Sequence, residues 1–228
     1  MELLETFRRL HAAYGPRRWW PTTLPGDERP SYHGFKPDAR QRFEIAAGAI
    51  LTQNTNWGNV ERALANLGRA ATLSPERVLA ADPEALAELI RPSGYYRMKA
   101  AKLRNLAAWW LRQPAAPGPS DLPAWRESLL TVNGVGPETA DSILLYAFGL
   151  PTFVVDAYTK RAMARHHGTP EDIPYHELRG LFMAKLPPDV ELYQEFHALF
   201  VELAKDACRK NACLERCPLR KTDEQMNR

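Results

Sequence analysis

Apolar residues recur at three- and four-residue spacing in nearly every segment of this chain, and alternating runs of β-branched residues are scarce. That periodicity predicts an all-α fold. The expected helices are Leu3–Tyr14, Arg40–Gln53, Gly58–Leu67, Pro75–Ala80, Pro83–Ile90, Tyr95–Leu111, Leu122–Thr131, Glu138–Phe148, Ala157–His166, Tyr175–Lys185 and Leu192–Ala207. Ser74-Pro75 and Asp82-Pro83 each set a capping side chain before a proline at the first helical position, which fixes those two starts. Two stretches interrupt the pattern and are expected to be loops: Pro16 to Pro37, rich in Pro, Gly and Arg, and Gln113 to Pro123, with four prolines.

A chain of 228 residues can bury a full core as one large domain or two modest ones. No apolar run reaches the roughly 20 residues that span a bilayer, so no membrane association is expected. The start, MELLETFRRLHAAYG, carries charge throughout and lacks the apolar core of a secretory signal. A cytoplasmic location is expected. The net charge of +3 fits a polyanion-binding protein but fits many others equally well. No block of basic residues marks a DNA-binding arm, so any basic surface must be assembled by folding.

The most informative segment runs from Leu129 to Arg161, LLTVNGVGPETADSILLYAFGLPTFVVDAYTKR. An amphipathic helix ends at Val132, Asn133 to Pro137 makes a tight turn, and a second helix opens at Glu138. This is a helix-hairpin-helix pattern. Gly134 and Gly136 can adopt positive φ and carry no Cβ, so the main-chain N–H groups of Gly134, Val135 and Gly136 can approach a phosphate oxygen near a helix start. Such contact is blind to base sequence. A plain αα-corner would use the same glycines only to turn.

After this motif come the apolar segment Pro151–Val155 and then Asp156, immediately before another helix. The order resembles that of the helix-hairpin-helix DNA glycosylases, in which a hairpin, a Gly/Pro segment and a catalytic aspartate follow one another. Cleaving an N-glycosidic bond builds positive charge on the sugar. A fixed carboxylate beside it stabilises the transition state and can orient the attacking water. Asp156 is the candidate, and it is equally suited to cap the following helix. The resemblance runs from Trp19 to Cys217 and is strongest to endonuclease III and its relatives. In that family a lysine at the second hairpin helix gives strand-nicking activity. Here Glu138 stands at that place, and a carboxylate cannot form the Schiff base that lyase chemistry requires. The resemblance therefore implies a monofunctional enzyme that leaves an abasic site, with Glu138 a first-turn acid facing the helix dipole.

Arg18-Trp19-Trp20-Pro21, Phe43, Leu51 to Trp57 and RPSGYYRMKAAKL look like the 3-methyladenine DNA glycosylase III branch. N-alkylated purines are cationic and leave readily, so their excision needs aromatic walls more than a general acid. Trp19, Trp20 and Phe43 are the candidate walls, although aromatic residues of this kind also serve as ordinary core. An enzyme that flips a base must fill the gap. Gln53 and Asn54 align with the family's intercalating loop, although Asn at a helix C-terminus also suits a left-handed cap. Rival readings are an oxidised-pyrimidine glycosylase with little lyase activity and a non-catalytic lesion-binding protein.

All three cysteines lie in one window, Cys208-x4-Cys213-x3-Cys217, a pattern that reads as metal rather than disulfide. Endonuclease III relatives hold a [4Fe-4S] cluster there with four cysteines spaced C-x6-C-x2-C-x5-C. The resemblance thus implies a cluster held by Cys208, Cys213, Cys217 and Asp223, the residue at the place of the last cysteine. A lost cluster with vestigial cysteines and adventitious zinc are the alternatives. Arg209, Lys210, Arg216, Arg220 and Lys221 are candidate phosphate contacts. His166-His167 reads as a helix C-terminal pair facing the dipole.

The resemblance implies two helical domains with a DNA-facing cleft between them. Residues 36–150 would form a helical barrel with the hairpin at 122–148, and residues 1–35 with 151–228 the second domain, including the Cys-rich loop at 208–223. The expected partner is double-stranded DNA carrying a damaged base, bound by a monomer associated with the nucleoid.

Overall fold

The computed structural model describes residues 1–34, 36–113 and 116–220. Among them are eleven α-helices: α1 (Leu3–Tyr14), α2 (Ala39–Leu51), α3 (Trp57–Arg69), α4 (Pro75–Ala80), α5 (Pro83–Leu89), α6 (Tyr96–Trp110), α7 (Leu122–Leu130), α8 (Pro137–Ser142), α9 (Ala157–His167), α10 (Tyr175–Lys185) and α11 (Val190–Asp206). The one described sheet pairs β1 (Cys208–Arg209) with β2 (Ala212–Cys213). No described helix is long and apolar enough to cross a membrane.

Local chemistry explains most helix starts. Asp38 accepts from Gln41 N at 2.8 Å while the Gln41 amide oxygen accepts from Asp38 N at 3.0 Å, a complete capping box. Ser74 and Asp82 cap α4 and α5 ahead of Pro75 and Pro83, as the dipeptides predict. Most other ends shift by one or two residues from expectation, and two differences have a structural cause. Helix α2 stops at Leu51, because Asn54 takes a left-handed conformation with φ 54°. Helix α8 covers only Pro137–Ser142 and continues as a π-helical turn over Ile143–Ala147.

The chain divides into two compact units, one of Met1–Arg17 with the described residues from Thr152 onward, the other of Arg18–Pro151. Residues 18–34 thus belong with the central helices and not, as expected, with the terminal ones. The physical reason is aromatic packing: Trp20 meets Tyr146 at 5.2 Å and Trp57 at 5.6 Å between ring centroids. Glu44, fully buried on α2, adds a polar anchor by accepting from Thr23 N at 3.0 Å and from Thr23 Oγ1 at 2.5 Å.

The central unit packs α2, α3, α5 and α6 around Phe43, Leu51, Val60, Leu64, Leu67, Leu86 and Leu103. Lys99, 2% exposed, donates its ammonium protons to the carbonyls of Leu51 and Ser93 at 2.8 and 2.7 Å, satisfying a backbone acceptor at the end of α2 and one in the turn after α5. Burial, then the neighbouring Lys102 charge, brings its pKa down to about 8. The terminal unit is built on aromatic rings: Phe153 stacks on Phe182 at 3.9 Å, Phe196 on Phe200 at 4.7 Å, and Phe7 of α1 meets Phe196 edge-on at 5.5 Å.

Candidate functional site

Asp156 sits at the end of a buried apolar run, Phe153-Val154-Val155, each residue no more than 1% exposed. That anchor fixes the carboxylate in extended backbone immediately before α9. Its Oδ1 accepts from Thr159 N at 2.7 Å and from Thr159 Oγ1 at 2.8 Å, so Asp156 is the N-cap of α9. Its Oδ2 lies 3.5 Å from Nε2 of His197, a residue of α11 buried beside Phe196. Burial pushes the Asp156 carboxyl up, but the neighbouring His197 imidazole and the two Thr159 donors outweigh it and hold the group below the usual carboxylate range. The result is a buried, persistently ionised carboxylate with a fixed orientation.

The hairpin turn joins α7 to α8. Gly134 adopts φ 100°, and a Cβ there would lie 2.3 Å from Lys102 Cγ, so glycine is required for conformation and for space. Gly136 differs from expectation: it is the N-cap of α8 in extended backbone, with no positive φ. The Val135 N–H differs too, since it donates to the Val132 carbonyl at 2.9 Å and is committed to the turn. Across the hairpin, Arg126 forms a two-pronged bond to the fully buried Asp141 at 2.9 and 3.0 Å. Glu138 is an exposed residue in the first turn of α8.

Gln53 is placed otherwise than a wedge requires. Its amide donates to the Gly134 carbonyl at 3.0 Å and to Thr139 Oγ1 at 3.1 Å, and its oxygen accepts from Lys102 Nζ at 2.7 Å. These bonds make it a strut between the end of α2 and the hairpin. Asn54, next in sequence, is exposed in its left-handed conformation.

Trp19 and Trp20 lie together in an aromatic cluster. Trp19 approaches Trp20 at 5.9 Å, and Tyr32 and Tyr146 at 6.4 Å each, and both tryptophans are partly buried. Gly48 makes room for Trp20, whose Nε1 would lie 3.3 Å from a Cβ at that position. Phe43 is a core ring and not an open wall: it is 1% exposed and packs edge-on against Trp110 at 5.4 Å.

In the terminal unit the three cysteines converge, and a histidine joins them. Nε2 of His166, at the end of α9, lies 3.8 Å from the Sγ atoms of Cys208 and Cys213 and 3.7 Å from that of Cys217. The expected reading of His166 as a dipole-facing end residue is therefore incomplete, because it points into the cysteines. Burial, followed by the neighbouring thiols, pushes the Cys217 thiol up to about 12. Asp223 and Lys221 lie outside the described residues. Arg209, Lys210 and Arg220 are exposed, whereas Arg216 is held by Asp206 at 2.9 Å.

Three residues that matter here escaped the sequence reading, Thr159, His197 and Lys102, and His166 was read there only as a helix end. Thr159 was open to discovery, three residues after a candidate cap. His197 sits in an apolar run, FHALF, where nothing in the sequence ties it to Asp156.

Residues 47–188 match the family model of HhH-GPD superfamily base excision DNA repair proteins. The chain is 42% identical over 212 residues to the protein named "Putative DNA repair glycosylase MJ1434" of Methanocaldococcus jannaschii, spanning 91% of this chain and 89% of that one. It is 28% identical over 179 residues to endonuclease III of Thermotoga maritima, spanning 78% and 80%. Among solved structures it resembles H. pylori 3-methyladenine DNA glycosylase (MagIII) bound to 1,N6-ethenoadenine, with TM-score 0.68 and 28% identity over 90% of this chain and 98% of that chain. A non-covalent endonuclease III–DNA complex shares the fold at TM-score 0.73 and 21% identity, over 99% and 97%.

Proposed function

As a member of the HhH-GPD superfamily of base excision DNA repair proteins, the chain is a DNA glycosylase, and we propose that it is a monofunctional one that releases alkylated purines by way of Asp156. The observation that carries this reading is the buried Asp156 carboxylate, held by Thr159 and His197 below the usual carboxylate range. A carboxylate so strongly stabilised is a weak base and a good electrostatic partner. It suits a reaction in which the base departs first and leaves positive charge on the sugar.

In this reading the C1′–N bond breaks with its electron pair going to the departing base, which leaves a cationic purine neutral. Asp156 stabilises the oxocarbenium ion, and water adds at C1′, giving up a proton to solvent. Glu138, in place of the lyase lysine, supplies no amine, so the strand stays intact. Trp19 and Trp20 supply aromatic faces that attract a cationic base more than a neutral one. The H. pylori relative, a 3-methyladenine glycosylase with a bound ethenoadenine, supports the alkylpurine assignment. Asn54 is the residue proposed to enter the emptied stack, and the hairpin around Gly134 and Gly136 to meet the phosphate backbone together with Arg209 and Lys210.

Base release from methylated duplex DNA, with wild type against Asp156→Asn, tests the reading. Release of 3-methyladenine by the wild type alone, with strand breaks only after alkali, is the expected result. Borohydride-trapped enzyme would convert the assignment to a lyase. Binding without release from methylated, oxidised or deaminated DNA would leave a lesion-binding protein.

A further inference from the structure

The cysteine window is read above, by resemblance, as the seat of a four-iron cluster, and the geometry of the donors tests that. A [4Fe-4S] cube is itself several ångströms across and holds its ligands at outside corners, which keeps their donor atoms far apart. Here the donor atoms of His166, Cys213 and Cys217 all lie within 4.8 Å of one another. The His166 Nε2 is nearly equidistant from the three sulfurs, at 3.7 to 3.8 Å. A single tetrahedral ion with Zn–S of about 2.3 Å and Zn–N of about 2.0 Å needs an S···N edge of roughly 3.6 Å. The donors of His166, Cys213 and Cys217 are spaced for one ion and not for the corners of a cube, and Cys208, outside that compact group, brings its sulfur within 3.8 Å of the same imidazole.

We propose that His166, Cys208, Cys213 and Cys217 form a closed mononuclear site for one zinc-class divalent cation, with His166 as the fourth ligand. The fold builds this site from three directions. The β1–β2 pairing sets Cys208 directly opposite Cys213, which brings both to one side of the short hairpin. The turn in which Cys217 N donates to the Leu214 carbonyl at 3.0 Å returns the third thiol. The last turn of α9 delivers the imidazole, whose ring also bonds the Leu219 backbone, an outer contact of the kind that fixes a ligand's tautomer.

Three thiolates on a divalent ion leave one negative charge, and the surroundings answer it. Arg165 Nη1 lies 3.4 Å from Cys208 Sγ, and the same guanidinium donates to the carbonyls of Arg209, Lys210 and Ala212 at 2.5, 2.6 and 3.2 Å. Arg161 holds the Cys208 carbonyl at 2.9 Å. A soft sulfur-rich set with one imidazole and no open position is that of a structural zinc site. Its work is to fix the hairpin that carries Arg209 and Lys210.

The test uses the full chain purified without added metal. Zinc, iron and acid-labile sulfide are measured, accessible thiols are titrated, and the site is reloaded with Co2+ to read its visible spectrum. One equivalent of zinc, no sulfide, protected thiols and a tetrahedral thiolate Co2+ spectrum are expected. His166→Ala should lose the zinc and release three reactive thiols, whereas His166→Cys should keep the ion and shift the Co2+ spectrum toward an all-sulfur site. Where His166→Ala fails to fold, His166→Cys decides, because an unchanged Co2+ spectrum in that variant removes His166 from the ligand set. Four irons with matching sulfide, or a metal-free wild type with three freely reactive thiols, overturns the proposal.

Discussion

The Nε2 of His197 stands 3.5 Å from Oδ2 of Asp156, while Thr159 occupies the other carboxylate oxygen. His197 and Thr159 together hold the carboxyl low against the opposing effect of burial. Removing His197 leaves the burial, so the pKa of Asp156 must rise. The acidic limb of base release should therefore lie below the usual carboxylate range in the wild type and move to higher pH in His197→Leu. Asp156→Asn should cut the rate by on the order of 100-fold or more. A pH–rate profile with saturating enzyme checks both, and an unmoved limb in His197→Leu would separate the histidine from the chemistry.

Gly134 and Gly136 share one motif but face different constraints. Alanine at 134 must adopt φ 100° and displace Lys102, at a cost of about 2 to 4 kcal/mol. Alanine at 136 meets extended backbone and open space, and should change stability by no more than about 0.5 kcal/mol. Denaturant unfolding of the two variants distinguishes them, and equal costs would contradict the geometry.

Gln53 and Asn54 are separable by the same logic. Gln53→Ala gives up three hydrogen bonds and should destabilise the protein by about 1 to 3 kcal/mol. Asn54→Gly keeps the left-handed backbone and should leave the melting temperature unchanged while slowing excision from paired DNA more than from single strands. Fluorescence of a base analogue at the lesion reports the flipping step directly.

Arg126 is the partner of a carboxylate with no exposure. Arg126→Met should cost about 3 to 5 kcal/mol, because the buried Asp141 loses its two-pronged bond to the guanidinium. The double variant Arg126→Met with Asp141→Leu should recover most of that loss. A double-mutant cycle by thermal unfolding measures the coupling.

Sequence alone determined the helical periodicity, the caps at Ser74 and Asp82, the hairpin turn and the capping suitability of Asp156, because each depends on residues within a few positions of one another, whereas the catalytic candidacy of Asp156 came from the resemblance of the whole segment from Leu129 to Arg161. The roles of Gln53 and Phe43 were not legible there: a polar residue at a helix end and an aromatic residue within a helix can face solvent, core or ligand, and only packing chooses. His197 beside Asp156, Lys102 over Gly134 and His166 among the cysteines were decided by tertiary structure, since each pair joins segments distant along the chain. Local rules fix which backbone states are affordable at each residue. Which side chains then meet is set by how the apolar faces of the helices pack, a long-range energy that no short stretch of sequence contains.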